Sequence, residues 1–451
     1  LQVQVLSTEQ VASLSTSVVG AFSSSNLRSL SAVQIASLTT GQVQVLSASQ
    51  ISSLSTGQVS ALETGDVAVL TTRQIGALNS AQVRALTTDQ VVALTSVQAG
   101  VLSADQVAVL TSAQVSALEV ADLAALGTAQ VASLTTLAVG VLNSSQLQGL
   151  TTLQVGALTT RQIGALTSVQ LSAMETTDVA ALKASQVAVL TSVQVAGLTT
   201  DQVPVLGTAQ VSALGVSTVQ ALNTDQLGAL TVGQVSALTT AQAAGLTTTQ
   251  VAALNTAQVV ALTTVQVGAL TANQVSALET GDVAVLTTRQ VGALNSAHVQ
   301  ALTTAQVVAL TSVQAGVLSV DQAAVLTSTQ VGALEVADVA ALGTAQVAAL
   351  TTLAVGALNS SQLQGLTTLQ VGALTTRQIG ALTSVQLSAM ETTDVAALKA
   401  MQVSVLTSVQ VAGLTTDQVP VLGTAQVSSL GVTALRALNT DQLGALTAGQ
   451  V

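Results

Sequence analysis

The chain has 451 residues and a formal net charge of −11, and 49% of its residues are apolar, although they include one Phe and no Trp or Tyr. The acidic balance disfavours binding to nucleic-acid phosphates, which requires Lys and Arg. The sequence contains no Cys and no run of 18 apolar residues, which excludes disulfides, thiolate metal sites and a transmembrane helix.

From Leu6 to Leu446 a large apolar residue recurs at every eighth position without an insertion or deletion. It is Leu at all but three of its 56 occurrences, and we number each octapeptide from it as position 1. In a typical unit, Leu86–Ala93 (LTTDQVVA), position 2 is Thr, position 5 is Gln and position 6 is Val, while positions 3, 4 and 7 vary along the chain and are predicted to face outward. So strict a period is typical of solenoids and predicts one uninterrupted solenoid over residues 1–451.

A longer period lies on top of the octapeptide. The segment 59–78 returns with one substitution at 275–294, which is 27 octapeptides later. The sequence therefore predicts duplicated super-repeats, 59–274 and 275–451, of which the second is incomplete. Because 27 is divisible by three and not by two, it favours three octapeptides per superhelical turn. The array starts in repeat phase and stops within a unit, so we expect a segment of a longer repeat protein.

Each octapeptide is predicted to form one short helix. Eight residues at 100° each would leave successive Leu side chains about 80° apart on a continuous helix, so the helix must break in every unit. Thr87 followed by Gln90 matches a capping box, in which each side chain bonds the other residue's backbone N–H. Val91 and Leu94 then share a helix face. One cap is worth only about 1 kcal/mol, so stacking must supply the remaining stability. The predicted fold class is an all-α superhelix of short capped helices.

A β-solenoid with two octapeptides per rung is the alternative. Thr and Val favour strands, and positions 6 and 8 would share a strand face. Against it, positions 8 and 1 are adjacent and both apolar, and no position supplies the residues of a tight corner. Pro204 and Pro420, both at position 7, remove a backbone donor in either model. Gly76, also at position 7, disfavours a helix, and close packing of neighbours is the expected explanation.

Six units carry a distinctive pair of substitutions, with Glu at position 2 and Asp at position 5. One interpretation is a cation site, such as a Ca²⁺ site, built by carboxylates of neighbouring turns. The other is that carboxylates lie favourably at helix N-termini. An Asp/Glu pair alone supplies too few ligands for Ca²⁺, which favours the second interpretation. The pairs are Glu63/Asp66, Glu119/Asp122, Glu175/Asp178, Glu279/Asp282, Glu335/Asp338 and Glu391/Asp394.

Catalytic chemistry is not evident in the sequence. His298 is the one histidine, and it stands at a position 5 where the earlier copy has Gln82. The many Ser and Thr hydroxyls lack an activating base. We therefore predict no catalytic residue, no cofactor-binding site and no metal site, and we expect that the protein is not an enzyme.

Two resemblances bear on function. The segment Leu86–Leu94 resembles the opening helix of TAL-effector DNA-binding repeats, and it implies only that this motif can begin a helix. The whole array resembles the Thr- and Ala-rich repeat regions of giant bacterial surface proteins and adhesins. That resemblance implies a structural rod, an extracellular filament or adhesin stalk at the cell surface, which self-associates into a fibre and has no nucleic-acid partner and no membrane span. The alternatives are a solenoid that binds a protein or glycan, and a Thr-array ice- or surface-binding protein.

Overall fold

The computed structural model describes residues 3–451, and this part of the chain is entirely helical. It contains a short 3-10 helix, Val3–Val5, followed by 53 α-helices of four to six residues, and no strand among residues 3–451. The predicted all-α solenoid of short helices is confirmed, and the β-solenoid alternative is wrong. Over the same residues, no helix has the length and hydrophobicity needed to cross a membrane.

The chain divides into two compact units, Leu1–Leu230 and Thr231–Val451. This division differs from the super-repeat boundary at residue 275, which stays a prediction from sequence. The helices of the first unit are α1 Thr8–Ser13, α2 Thr16–Gly20, α3 Ser24–Ser29, α4 Ala32–Ala36, α5 Thr40–Gln44, α6 Ala48–Ser53, α7 Thr56–Ser60, α8 Thr64–Ala68, α9 Thr72–Ala77, α10 Ser80–Ala85, α11 Thr88–Val92, α12 Ser96–Gly100, α13 Ala104–Ala108, α14 Ser112–Ala117, α15 Val120–Ala125, α16 Thr128–Ser133, α17 Thr136–Gly140, α18 Ser144–Gln148, α19 Thr152–Ala157, α20 Thr160–Ala165, α21 Ser168–Ala173, α22 Thr176–Ala181, α23 Ala184–Val187, α24 Ser192–Ala196, α25 Thr208–Ala213, α26 Val216–Gln220 and α27 Thr224–Gly228.

The second compact unit, Thr231–Val451, is built from the same kind of short helix. Its helices are α28 Val232–Ser236, α29 Thr240–Gly245, α30 Thr248–Ala252, α31 Thr256–Ala261, α32 Thr264–Ala269, α33 Ala272–Ala277, α34 Thr280–Val285, α35 Thr288–Ala293, α36 Ser296–Ala301, α37 Thr304–Val308, α38 Ser312–Gly316, α39 Val320–Ala324, α40 Ser328–Ala333, α41 Val336–Ala341, α42 Thr344–Ala349, α43 Thr352–Gly356, α44 Ser360–Gln364, α45 Thr368–Ala373, α46 Thr376–Ala381, α47 Ser384–Ala389, α48 Thr392–Ala397, α49 Ala400–Val403, α50 Ser408–Ala412, α51 Thr424–Ser429, α52 Val432–Leu435 and α53 Thr440–Gly444.

The predicted capping box forms and separates one helix from the next. At the start of α11, the Gln90 N–H donates to Thr87 Oγ1 at 3.2 Å, and the Thr87 N–H donates to Gln90 Oε1 at 2.9 Å. Leu86 and Thr87 are extended, with ψ of 135° and 163°. These two residues redirect the chain between helices. Among residues 3–451 none has a positive φ, so the change of direction needs no glycine.

Three positions of the octapeptide form the core. In the α11 unit, Leu86, Gln90 and Val91 are buried, whereas positions 2, 3, 4 and 7 are exposed, as the variability of positions 3, 4 and 7 predicts. Burial of a Val or Leu side chain contributes about 1.5–3 kcal/mol. Since so short a helix is unstable in isolation, stacking on neighbouring layers holds it. The unexpected member of the core is Gln.

Contacts between layers join residues that are 25 to 31 positions apart in the chain. Arg28 Nε donates to the carbonyl of Ser53, 25 residues later, at 3.0 Å. Gln90 Nε2 donates to carbonyls 28 and 31 residues earlier. These separations are longer than three octapeptides and shorter than four. Helices three octapeptides apart pack against each other, as α12 does against α15, in agreement with the three units per turn that the duplication favours.

The two prolines each remove one helix. Residues 199–206 and 415–422 form turns, because Pro204 and Pro420 lack the N–H that position 7 would donate within the helix. The disturbance is local. The Thr199 N–H still donates to Gln202 Oε1 at 3.0 Å, and Gln202 Nε2 still donates to the Leu171 carbonyl at 2.8 Å.

Glycines occupy two different environments. The expectation that close packing explains Gly76 is wrong, since a Cβ built there meets no atom within 4 Å. Close packing is present at Gly100, where the Cβ would lie 3.1 Å from the Ala125 carbonyl oxygen. It is tighter at Gly197, where the Cβ would lie 2.5 Å from Ser168 Cβ and 3.2 Å from its Cα. Contacts between layers therefore require glycine only at particular units.

Alanine at these two types of site should have opposite effects. We expect Gly197→Ala to lower the free energy of unfolding by about 1–3 kcal/mol, because the backbone of Ser168 must shift. We expect Gly76→Ala to raise it by up to about 1 kcal/mol, because Ala is the better helix former and restricts the unfolded chain. Thermal melting of the two single variants checks both signs. Equal effects at the two sites would contradict the packing described.

Candidate functional site

The Gln side chain at position 5 joins two layers of the solenoid. Gln90 is 1% exposed, and its Oε1 accepts the Thr87 N–H that caps its own helix. Its Nε2 donates to the carbonyls of Val59 at 2.9 Å and Leu62 at 2.7 Å, at the C-terminal end of α7. The Val59 carbonyl also accepts the Leu62 N–H at 3.2 Å. The Leu62 carbonyl follows the end of α7 and takes its donor from the next layer. One amide thus satisfies the start of one helix and the end of another.

We call this series of position-5 side chains, with their Nε2 bonds to the preceding layer, the glutamine ladder. In both units, members donate to the carbonyls 28 and 31 residues earlier. They include Gln42, Gln58, Gln74, Gln82, Gln98, Gln106, Gln114, Gln146, Gln154, Gln162, Gln186, Gln194, Gln202 and Gln226 in the first unit, and Gln266, Gln274, Gln290, Gln306, Gln314, Gln322, Gln330, Gln362, Gln370, Gln378, Gln402, Gln410, Gln418 and Gln442 in the second.

From the sequence we predicted only that the Gln at position 5 caps its own helix. The sequence also contained a signal for the bonds that this Gln makes to the preceding layer. Position 5 is Gln in 43 of its 56 occurrences and is never Glu. A capping box accepts Glu as readily as Gln, because only a side-chain oxygen is needed. The exclusion of Glu indicates that the position also requires a hydrogen-bond donor, which the amide has and the carboxylate lacks.

His298 reproduces the ladder with a different side chain. Its Nδ1 accepts the Asn295 N–H at 3.2 Å, and its Nε2 lies 2.6 Å from the Leu270 carbonyl oxygen. A carbonyl can only accept, so the hydrogen of the neutral ring is on Nε2. The side chain is 2% exposed. His298 therefore caps one helix and bonds the layer beneath it, which is the role of Gln in other units.

Replacement of His298 tests this equivalence. We expect His298→Gln to change the free energy of unfolding by less than about 0.5 kcal/mol, because Gln supplies the same acceptor and donor. We expect His298→Ala to lower it by about 1–3 kcal/mol, because buried backbone groups lose their partner. Local hydrogen exchange at Asn295 and in α36 provides the measurement. A loss with Gln as large as the loss with Ala would show that the imidazole has another role.

The six Glu/Asp units, which we call the acidic units, place their two carboxylates in different environments. Each Asp occupies the buried ladder position and is 2–3% exposed, whereas Glu63 and its counterparts are exposed and make no side-chain cap. The Glu63 N–H donates to Asp66 Oδ2 at 3.3 Å. The acidic pair is therefore not simply a solvated cap at a helix N-terminus.

Burial dominates the ionisation of these carboxyls. It raises the pKa of all six Asp residues, to about 6 for Asp66 and for Asp394, and the charge of the adjacent Glu raises each further. Backbone hydrogen bonding by the Glu residue opposes part of this effect at Asp66. Among residues 3–451, the buried side-chain oxygens without a hydrogen-bond partner are the Oδ2 atoms of Asp122, Asp282 and Asp394. The same residues contain no cluster of three or more His, Cys, Asp or Glu that could bind a metal.

Exposed apolar side chains occur at position 4 in both compact units, and we call the four leucines among them the position-4 leucines. They are Leu137, Leu153, Leu353 and Leu369, which are 75–77% exposed. Leu153 lies in a shallow groove with Thr152, Gly156 and Lys183. The equivalent groove, 27 octapeptides further along the chain, contains Leu369 and Lys399.

The repeat itself identifies the family. A model described as the ALTTAQ repeat matches more than half of the chain, and the six letters occur unchanged at Ala237–Gln242 and Ala301–Gln306. The chain belongs to the ALTTAQ repeat family. The matched residues are 19–56, 59–96, 115–152, 140–168, 171–208, 203–240, 219–256, 240–272, 275–312, 331–368, 355–384, 387–424 and 419–451. No curated protein matches this ALTTAQ repeat chain.

Proposed function

We propose that this ALTTAQ repeat protein is a non-enzymatic structural spacer, an elongated rod that serves as an extracellular filament or adhesin stalk. The glutamine ladder carries the proposal. Along most of the glutamine ladder, the same two carbonyls of one layer accept from one amide of the next, so a layer can be added without new chemistry. Stability in such arrays is approximately a sum of repeat and nearest-neighbour contributions.

The absence of insertions in the sequence supports the same role. Positions 2, 3, 4 and 7 are exposed in unit after unit, and positions 1, 5 and 6 are used for stacking. A rod needs repetition along its axis and a solvated exterior. Duplication by a whole number of octapeptides then lengthens the rod and preserves every contact between layers.

Solution scattering tests the rod. We would compare the 451-residue chain with a chain lengthened by a second copy of residues 59–274. The proposal requires an unchanged cross-sectional radius and a maximum dimension that increases in proportion to the number of octapeptides. A compact particle, or a disordered chain whose size follows random-coil scaling, would refute it.

We further propose that the rods associate side by side through the position-4 leucines. Exposed apolar side chains that recur along a surface favour association, because contact removes them from water. Sedimentation velocity should show oligomers that dissociate in a variant with Leu137, Leu153, Leu353 and Leu369 replaced by Ser. Four Thr→Ser changes at exposed position 3 serve as the control. Location outside the cell is tested by antibody binding to unpermeabilised cells of the source organism.

A further inference from the structure

We propose that two copies of this chain dock through unlike surfaces, a basic face that contains leucine on one copy and an acidic face on the other. This inference rests on the proposed association through the position-4 leucines, and it names the surface that receives them. It begins from the distribution of exposed charges over columns of stacked octapeptides. A column here means the set of octapeptides that lie three apart in the chain and stack on one another.

Contacts between layers define the columns. The ladder bond from Gln162 Nε2 to the Leu134 carbonyl, at 2.8 Å, joins one octapeptide to the octapeptide three before it. A Cβ built on Gly65 would lie 3.8 Å from Thr40 Cγ2, so position 4 lies beside position 3 of the octapeptide three earlier. Consecutive octapeptides therefore belong to different columns, and exposed residues 24 positions apart share a face.

One column carries leucine and cations on three successive octapeptides, which we call the basic patch. In the first compact unit, Leu137 and Arg161 occupy position 4 of the first two, and Lys183 occupies position 2 of the third. All three side chains are exposed, and ladder bonds join their octapeptides. Lys183 also lines the groove that contains Leu153 and Gly156. The three octapeptides contain no acidic residue, so the patch combines apolar area with positive charge.

A different column carries exposed carboxylates on three successive octapeptides, which we call the acidic patch. Glu175 occupies position 2 of the first, and Asp201 and Asp225 occupy position 4 of the next two. Ladder bonds of 2.8 and 2.6 Å join these octapeptides, which contain no Lys, Arg or His. Because the two patches belong to different columns, one copy presents them on different faces and a second copy can bring them together.

The second compact unit carries the same two patches. Ladder bonds again join the octapeptides of each patch, and all the side chains that define them are exposed. Each compact unit therefore offers one patch of each sign to a second copy. The basic patch of the second unit is Leu353, Arg377 and Lys399, and its acidic patch is Glu391, Asp417 and Asp441.

The two patches are complementary in extent and in charge. Both span three successive octapeptides of a column, so they match in length. Contact between them removes exposed leucine from water and places Arg and Lys beside carboxylates. Contact between two acidic patches would instead bring carboxylates together without a counter-charge. Docking through unlike surfaces leaves one patch of each sign free, so association continues beyond a dimer.

The first test is the salt dependence of association, measured by sedimentation velocity on the full chain. We expect oligomers at about 50 mM NaCl and an association constant at least about fivefold lower at about 500 mM, because salt screens exposed charges. Association that strengthens with salt would overturn the inference, since apolar contact alone would then govern it.

Charge reversal tests which surfaces meet. We expect a variant with a reversed basic patch, or one with a reversed acidic patch, to be monomeric, because all of its patches then have the same sign. An equimolar mixture of the two variants should associate, because opposite signs are restored between copies. The first variant is R161E/K183E/R377E/K399E, and the second is E175K/D201K/D225K/E391K/D417K/D441K.

A matched control reverses four exposed cations outside the patches. The variant R73E/R84E/R289E/R436E changes the net charge as much as the reversed basic patch does, and it should keep the association of the parent chain. Far-UV circular dichroism shows that each variant is folded.

The inference is overturned if the reversed basic patch associates as strongly as this control, or if the equimolar mixture of folded variants stays monomeric. A parent chain that forms no oligomers would refute both this docking and the proposed side-by-side association. If replacement of the position-4 leucines by Ser dissociates the oligomers and charge reversal does not, only the docking of unlike patches is refuted.

Discussion

Replacing Gln90 by Ala is expected to lower the free energy of local opening around α11 by about 2–4 kcal/mol. The substitution leaves the Thr87 N–H and the carbonyls of Val59 and Leu62 without their shared partner. The effect should extend to the layer below, since two of the three groups belong to α7 and its C-terminal cap. Hydrogen exchange followed by mass spectrometry measures it in peptides that cover residues 56–62 and 87–94.

Gln10 is the matched control. It makes the same capping contacts, with the Ser7 N–H at 2.8 Å from its Oε1 and its own N–H at 3.2 Å from Ser7 Oγ. It is exposed, and its side chain makes the capping contacts without the bonds to carbonyls 28 and 31 residues earlier that define the glutamine ladder. Gln10→Ala should therefore lose only the cap, about 1 kcal/mol. If the two variants had equal effects, the bonds between layers would contribute nothing to stability.

Acidification from pH 7.5 to pH 4.5, in the presence of chelator, should raise the stability of the protein. Folding raises the pKa of the six ladder Asp residues above the unfolded value of 3.8, to about 6 at Asp66 and Asp394. The folded state therefore binds their protons more tightly than the unfolded chain does. Stability falls as pH rises from about 4 through about 6, and for a pKa near 6 the change is on the order of 2 kcal/mol per Asp.

Thermal melting across pH 4.5–7.5 is the measurement. The sixfold Asp→Gln ladder variant should lose most of the pH dependence. A control variant should keep it, although both variants remove the same number of charges. In the control, six exposed position-4 residues are replaced by Gln: Asp89, Asp105, Asp201, Asp225, Asp321 and Asp441. A melting temperature that rises with pH in the parent protein would show that the buried Asp residues do not govern its acid response.

These two expected results concern the same position of the octapeptide. Where position 5 is Gln, its side-chain amide donates hydrogen bonds to backbone carbonyls of the layer beneath. Where it is Asp, it contributes a buried carboxyl group whose effect on the stability of the fold depends on its protonation. These pH-sensitive positions recur at every seventh octapeptide of each acidic series.

The sequence alone determined that each octapeptide forms one short helix, and where that helix begins and ends. A period of eight is incompatible with a continuous helix, and Thr87 with Gln90 provides a local device that starts a new one. These interactions join residues within a single octapeptide, so they can be deduced from spacing. The same spacing identified Leu86 and Val91 as core residues and Pro204 as a local disruption.

Only the tertiary structure decided which residues meet across two layers. The number of units per layer depends on how the side chains of successive layers pack, and neither the octapeptide nor its duplication encodes it directly. For that reason, the bonds from Gln90 to the carbonyls of Val59 and Leu62 were not predicted. The absence of Glu from position 5, which points to them, was visible in the sequence. For the same reason, Asp66 was correctly placed in the first turn of its helix, but its burial was not predicted. An acid in the first turn of a helix is favourable when water surrounds it, but stacking of the layers removes that water and raises its pKa.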